Sequence, residues 1–218
     1  MRILVKLCGI HTLAALEGAL EAGADALGFV LVDSPRRVSL AEAEKLLARV
    51  PAGIERVAVF ARASRAELSA ALCLPFDALQ AELASDVPEL PAHVHFLPVL
   101  RDGPELETRV LPVSPAPAGR SLRGALVLDG PGGGGRGLPA DPARAARLAR
   151  RVRLVLAGGL APENVHARCL AVRPFAVDAS SGLELERGRK DPARMHAFVR
   201  AVRAAELELS SQPLPPQP

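Results

Sequence analysis

At 218 residues and 49% apolar, the chain is long enough to bury one substantial core and falls within the range of a single α/β barrel. Its formal charge of +3 is spread along the sequence, and neither Trp nor Tyr is present. That excludes the basic stripe with interleaved aromatics by which single-stranded nucleic acid is held, so no nucleic-acid partner is expected. Three cysteines without C-x-x-C spacing argue against a disulfide framework or a structural zinc site. No apolar run approaches the ~20 residues of a membrane span. The opening MRILVKLCGI enters a strand pattern directly and lacks the apolar stretch of a secretory signal, so a soluble cytoplasmic protein is expected.

The first strand-like run, 3–8, ends in Lys6-Leu7-Cys8-Gly9, and alternation puts Lys6 and Cys8 on the same side. A cysteine there, beside a lysine and an anion site, is a candidate base with a depressed pKa; the alternative is a small buried hydrophobe. A helix at 13–22 and a strand at 26–32 lead into Ser34-Pro35-Arg36-Arg37-Val38. Arg36 is suited to grip a carboxylate through its planar fork, unless it is one more solvated arginine. Ser39 with Glu42 and Ser64 with Glu67 are capping-box starts for helices at 41–50 and 66–72, with a strand at 56–60 between them.

Strands at 78–82 and 94–100 flank a weak fourth unit, because 86–91 is too short and proline-rich for a helix. The fifth unit is also weak, with 110–120 reading as a loop. The strand at 125–129 closes on Asp129 and runs into GPGGGGRG. A carboxylate ending an apolar strand is costly without a role, whether in chemistry or as a cap of the next turn. The glycine run is either filler or a mobile lid. Asp141-Pro142 and Asp191-Pro192 start helices at 142–150 and 192–205. Between them lie a strand at 154–157 ending in Gly158-Gly159, a helix at 162–172, and a strand at 176–179 containing Asp178 and ending before Ser180-Ser181. Small residues in these last two loops let backbone N–H groups approach an anion. Cys73 and Cys169 fall on helix faces and read as ordinary packing residues.

Eight βα repeats with near-continuous apolar strands predict a single closed (β/α)8 TIM barrel over 1–207, not a doubly wound sheet of fewer strands. The site then lies at the C-terminal ends of the strands. Residues 208–218 are expected to form a proline-rich tail that does not pack.

Taken in order, VKLCGI, ADALGFV, SPRRVS, VAVF, LVLDG, LAGGLAPENV and RPFAVDASSGLE resemble the phosphoribosylanthranilate isomerase family of tryptophan biosynthesis, from about Val5 to Val202. The resemblance implies an Amadori rearrangement of N-(5-phosphoribosyl)anthranilate to 1-(2-carboxyphenylamino)-1-deoxyribulose 5-phosphate, with no cofactor and no metal. It implies Cys8 as general base, Asp129 as general acid and Arg36 as the grip on the anthranilate carboxylate. The backbone of Gly158, Gly159, Ser180 and Ser181 would hold the phosphate, and Lys6, Gln80 and Asp178 would supply further substrate contacts. The partner is then a small phosphorylated substrate, with the protein a monomer or a homodimer.

Two stretches depart from the family pattern. Gln80-Ala81-Glu82-Leu83 stands where the family has Gln-x-His-Gly, and Arg136-Gly137-Leu138 where it has a Lys/Arg-Thr-Phe-like run. A carboxylate at Glu82 cannot donate a hydrogen bond as imidazole can, and is expected to repel an anionic substrate. These departures leave two further readings: a related phosphosugar isomerase or epimerase with a changed aglycone end, and a barrel that binds a phosphometabolite without turning it over.

Overall fold

The computed structural model describes residues 2–82, 84–107, 121–131 and 138–211. Eight parallel strands close into a barrel in sequence order: β1 (Leu4–Cys8), β2 (Ala26–Val30), β3 (Glu55–Val59), β4 (Ala78–Glu82), β5 (His95–Arg101), β6 (Ala125–Asp129), β7 (Arg153–Leu156) and β8 (Ala176–Ala179). β8 pairs back to β1 through Leu4↔Ala176 and Lys6↔Asp178, which seals the ring and leaves no sheet edge. The closed TIM barrel expected from the eight repeats is therefore the fold, and the doubly wound alternative is not.

Alternation along each strand sorts the side chains into two cores. Inward-facing Leu4, Val57, Leu97, Val99, Val127 and Val155 pack with alanines such as Ala26, Ala78 and Ala176. Outward-facing Val5, Leu7, Leu27, Phe29, Leu79, Leu126, Leu128 and Leu154 pack under the helices. The interior is thus a filled apolar layer, with polar inward positions above it toward the strands' C-terminal ends and a second polar set, Glu55 and His95, where β3 and β5 begin.

The helices are α1 (Leu13–Ala22), α2 (Leu40–Leu47), α3 (Arg65–Ala71), α4 (Pro142–Ala149), α5 (Val165–Val172) and α6 (Pro192–Ser211). Reciprocal capping boxes start α2 at Ser39/Glu42 and α3 at Ser64/Glu67, and Asp141 caps α4 ahead of Pro142. No helix forms between β4 and β5 among the described residues, and a 3-10 turn, Pro104–Glu107, follows β5. The expected loop at 110–120 lies outside the described residues, as do Leu83 and 132–137 of the glycine run.

Three expectations are corrected. α6 continues to Ser211, beyond the helix end expected at 205, because Leu209 keeps the buried face of Met195, Phe198, Val202 and Ala205; 212–218 of the expected tail lie outside the described residues. Cys73 sits in an exposed turn past the end of α3, and not on a helix face. α5 begins at Val165 instead of 162, since Asn164 folds back, accepting from Ala161 N (3.0 Å) and donating to Gly159 O (2.8 Å). No helix among the described residues is long and apolar enough to cross a membrane.

Candidate active site

The C-terminal ends of the strands enclose a cavity of about 400 Å³, whose wall includes Cys8, Arg36, Gln80, Asp129 and Asp178. Gly158, Gly159, Ser180 and Ser181 line the same cavity. Of the residues singled out in the sequence, only Lys6 is missing from its wall. Lys6 is fully buried one layer down, with Nζ 2.8 Å from Asp178 Oδ2. Its ammonium underpins Cys8 and Asp178 from below.

Room for this arrangement comes from β2. Gly28 pairs with Cys8, and a Cβ at Gly28 would lie 2.8 Å from Cys8 Sγ and 3.0 Å from Lys6 Nζ. Burial disfavours the Lys6 ammonium, yet Asp178 and Cys8 outweigh it and raise its pKa, so the charge stays. The depressed pKa expected for Cys8 is not found. Burial pushes the thiol up, and Lys6 offsets only part of that while Asp178 adds to it.

Asp129 ends β6 directly opposite Arg101 of β5. Arg101 Nη1 donates to Asp129 Oδ2, and Gly130 N donates to Asp129 Oδ1 at 2.9 Å. Burial nevertheless raises the Asp129 pKa against Arg101 and Gly130, with Asp178 adding to the rise. A carboxyl that holds its proton more readily than usual is suited to donate one. Arg101 Nη2 reaches back to Glu82 Oε1 at 3.3 Å, and Arg62 Nε lies 4.0 Å from Glu82 Oε2. Glu82 therefore lines the cavity as a paired carboxylate, and the expected repulsion of an anionic substrate is moderated by these two arginines.

Arg36 is buried and not a solvated surface residue. Its Nε and Nη2 meet Glu184 Oε1 and Oε2 at 2.6 and 2.8 Å, a bidentate fork that fixes the guanidinium plane against the cavity. Lys190 Nζ joins Glu184 Oε1 at 2.8 Å and donates to Ser180 O at 2.9 Å, tying this pair to the loop after β8. Burial favours the neutral acid, but Arg36 and Lys190 hold the Glu184 carboxyl at about 2. Gly158 and Gly159 both have positive φ (82° and 61°), and a Cβ at Gly158 would lie 2.6 Å from Gly130 N. The two glycines thus let the loop after β7 close against the end of β6.

Gln80 Oε1 and Asp178 Oδ1 are buried without a hydrogen-bond partner among the described residues. Such acceptors are costly unless a ligand donor reaches them. Among the described residues there is no cluster of His, Cys, Asp and Glu that could hold a metal ion.

Arg101, Glu184 and Lys190 were not singled out in the sequence. Arg101 falls one residue past the predicted strand, although it continues the inward positions Leu97 and Val99. Glu184 lies within the ASSGLE run, and Lys190 is conspicuous in a chain whose other lysines are Lys6 and Lys45.

Residues 113–201 match the family described as N-(5'phosphoribosyl)anthranilate (PRA) isomerase. The N-(5'-phosphoribosyl)anthranilate isomerase of Pseudomonas putida F1 is 36% identical over 204 residues, covering 92% of this chain and 97% of that one. The chain belongs to the phosphoribosylanthranilate isomerase family. The isomerase of Methanothrix thermoacetophila is 38% identical, covering 93% of this chain and 99% of its own. Among solved structures, phosphoribosylanthranilate isomerase from Thermotoga maritima superposes with a TM-score of 0.77 at 29% identity, over 93% of this chain and all of that one. A second isomerase structure, in complex with reduced 1-(o-carboxyphenylamino)-1-deoxyribulose 5-phosphate, superposes at 0.74 with 27% identity, over 93% of this chain and all of its own.

Proposed function

We propose that the chain converts N-(5'-phosphoribosyl)anthranilate to 1-(o-carboxyphenylamino)-1-deoxyribulose 5-phosphate, with Asp129 as general acid and Cys8 as general base. The observation that carries this reading is the placement of both groups on the wall of one cavity, from β6 and β1, beside Gly158, Gly159, Ser180 and Ser181. Asp129 gives its proton to the furanose ring oxygen as the anilino nitrogen lone pair forms the C1=N bond and the ring C1–O bond breaks. Cys8 then takes the proton from C2, whose electrons form C1=C2 while the C1=N pair returns to nitrogen. The resulting enol becomes the ketone when C1 is protonated and the C2 hydroxyl loses its proton.

The remaining groups bind and orient. The backbone of Gly158, Gly159, Ser180 and Ser181 holds the phosphate, and Arg36, with its plane fixed by Glu184, presents its outer edge to the anthranilate carboxylate. Gln80 Oε1 and Asp178 Oδ1 accept from the sugar hydroxyls. Lys6 positions Cys8 and Asp178 from below. One related structure describes monomers made from a dimeric isomerase of Thermotoga maritima, and a monomer or homodimer is proposed for this chain.

Loss of substrate fluorescence on adding the purified protein to phosphoribosylanthranilate tests the activity. Cys8→Ser and Asp129→Asn are each expected to reduce turnover by at least about 100-fold, the contribution of a positioned acid or base. Wild-type turnover in either variant removes that residue from the mechanism.

A further inference from the structure

Arg101 stands between two carboxylates, and only one of them has a part in the chemistry described so far. One amino group of its guanidinium, Nη1, is on Asp129 Oδ2; the other, Nη2, is 3.3 Å from Glu82 Oε1. The strand register builds this arrangement: Glu82 pairs with Val99 and Arg101 pairs with Asp129, so β5 carries its arginine between the ends of β4 and β6. We propose that Glu82 is a positioning residue for the acid step, sharing the Arg101 guanidinium with Asp129 so that Asp129 can hold and then release its proton. This inference rests on the reading of Asp129 as general acid and deepens it.

A guanidinium committed wholly to Asp129 stabilises the carboxylate and disarms the acid. With Glu82 as a second acceptor, Arg101 leans toward Glu82 while Asp129 carries its proton. When the O–H bond of Asp129 breaks and the ring oxygen takes the proton, the new carboxylate recovers the guanidinium. Glu82 and Arg101 thus act through Asp129 and need not touch substrate. Among the described residues, the other charged groups around Asp129 are Asp178 on β8, Lys6 and Cys8 on β1, and Asp33, Arg36 and Arg187 in the loops on the cavity's rim; Arg62, after β3, meets Glu82 from outside. The loop after β7 brings Ala157, Gly158, Gly159 and Leu160 to the wall, so among the described residues Arg101 is the cation in direct contact with Asp129.

The test is the pH dependence of kcat/KM for phosphoribosylanthranilate in Glu82→Gln, Arg101→Met and the double variant. Glu82→Gln is expected to move the limb that reports Asp129 down by about 0.5–1 pH unit and to lower the rate at neutral pH by about threefold to tenfold. Rates well below that limb are expected to match wild type, which a general loss of structure would not allow. Arg101→Met is expected to move the limb up, and Glu82→Asp, which keeps the charge, to leave it near the wild-type position. In the Arg101→Met background, Glu82→Gln is expected to have no further effect. An unmoved limb in Glu82→Gln, or an equal shift with and without Arg101, overturns the proposal while leaving the acid role of Asp129 in place. Turnover that survives Asp129→Asn instead removes the acid reading on which the proposal stands.

Discussion

At the level of single residues, burial pushes Cys8 and Asp129 in the same direction, toward their protonated forms, although in the proposed mechanism one accepts a proton and the other gives one. In the proposed mechanism the productive state has Asp129 protonated and Cys8 ionised, the less populated of the two singly protonated arrangements when the thiol has the higher pKa. As pH rises between their two pKa values, the fraction of protonated Asp129 falls by about tenfold per unit while the thiolate fraction grows by the same factor. The product of the two is constant. The expected kcat/KM profile is therefore a broad plateau between the two values, falling below that of Asp129 and above that of Cys8. A climbing limb with a midpoint near pH 7 that stays in place in the residual activity of Asp129→Asn would show an activated thiol, and would contradict the burial of Cys8 beside a Lys6 already bound to Asp178. Because the plateau height depends on the separation of the two values, a variant that brings them closer is expected to be faster.

At the level of elements, the loops after β7 and β8 depend on each other. A Cβ at Gly182 would lie 2.1 Å from Leu160 O and 2.9 Å from Ala161 Cα, so Gly182→Ala must push the two loops apart through their backbones. The phosphate is proposed to bind between them. The variant is expected to raise KM by about tenfold with a smaller change in kcat, as loss of uniform binding predicts. Gly23→Ala, away from the cavity, where a Cβ meets nothing within 4 Å but the left-handed backbone at φ 86° is strained by any side chain, tests whether the strain of replacing a glycine has this effect by itself; equal changes in both variants would rule out the loop explanation. What was legible in the sequence follows the same division between local and distant contacts. Ser39 with Glu42 and Ser64 with Glu67 lie three residues apart, and their capping boxes could be read directly. Cys8 and Asp129 were legible because each stands where an apolar run stops. Arg101 was not, because its meaning comes from a register that places it opposite a residue 28 positions away. The pKa of Cys8 was misread for a related reason: Lys6 is visible in sequence, whereas burial is made by the closed barrel around it. The end of α6 was set too early because its solvent face is polar while Leu209 continues the buried face.

At the level of the whole molecule, the barrel keeps its chemistry at one end and a second buried polar cluster at the other. There Glu55 begins β3 and accepts from Leu122 N at 2.7 Å and Ser121 Oγ at 3.2 Å, with His95 Nε2 lying 3.3 Å from Oε1. Burial lowers the His95 pKa to about 4, with Arg123 adding to the effect and Asp77 opposing it. Burial likewise raises that of Glu55, so the two do not behave as a charged pair. The folded protein thus takes up the His95 proton at lower pH than the unfolded chain, whose histidine titrates near its ordinary value of 6.5. Stability from this site is fully present above 6.5, declines as pH falls toward 4, and levels off below that. Complete expression of the shift corresponds to about 3 kcal/mol, and at pH 5 to about 2 kcal/mol. Glu55 and Asp129, with raised values, act in the opposite sense over the acid range, so the wild-type slope alone does not isolate His95. The comparison that does is urea unfolding of wild type and His95→Gln at pH 7 and pH 5. The variant is expected to lose less stability between the two, by about 2 kcal/mol; equal losses would mean that His95 gains its proton in the folded barrel as easily as in the unfolded chain.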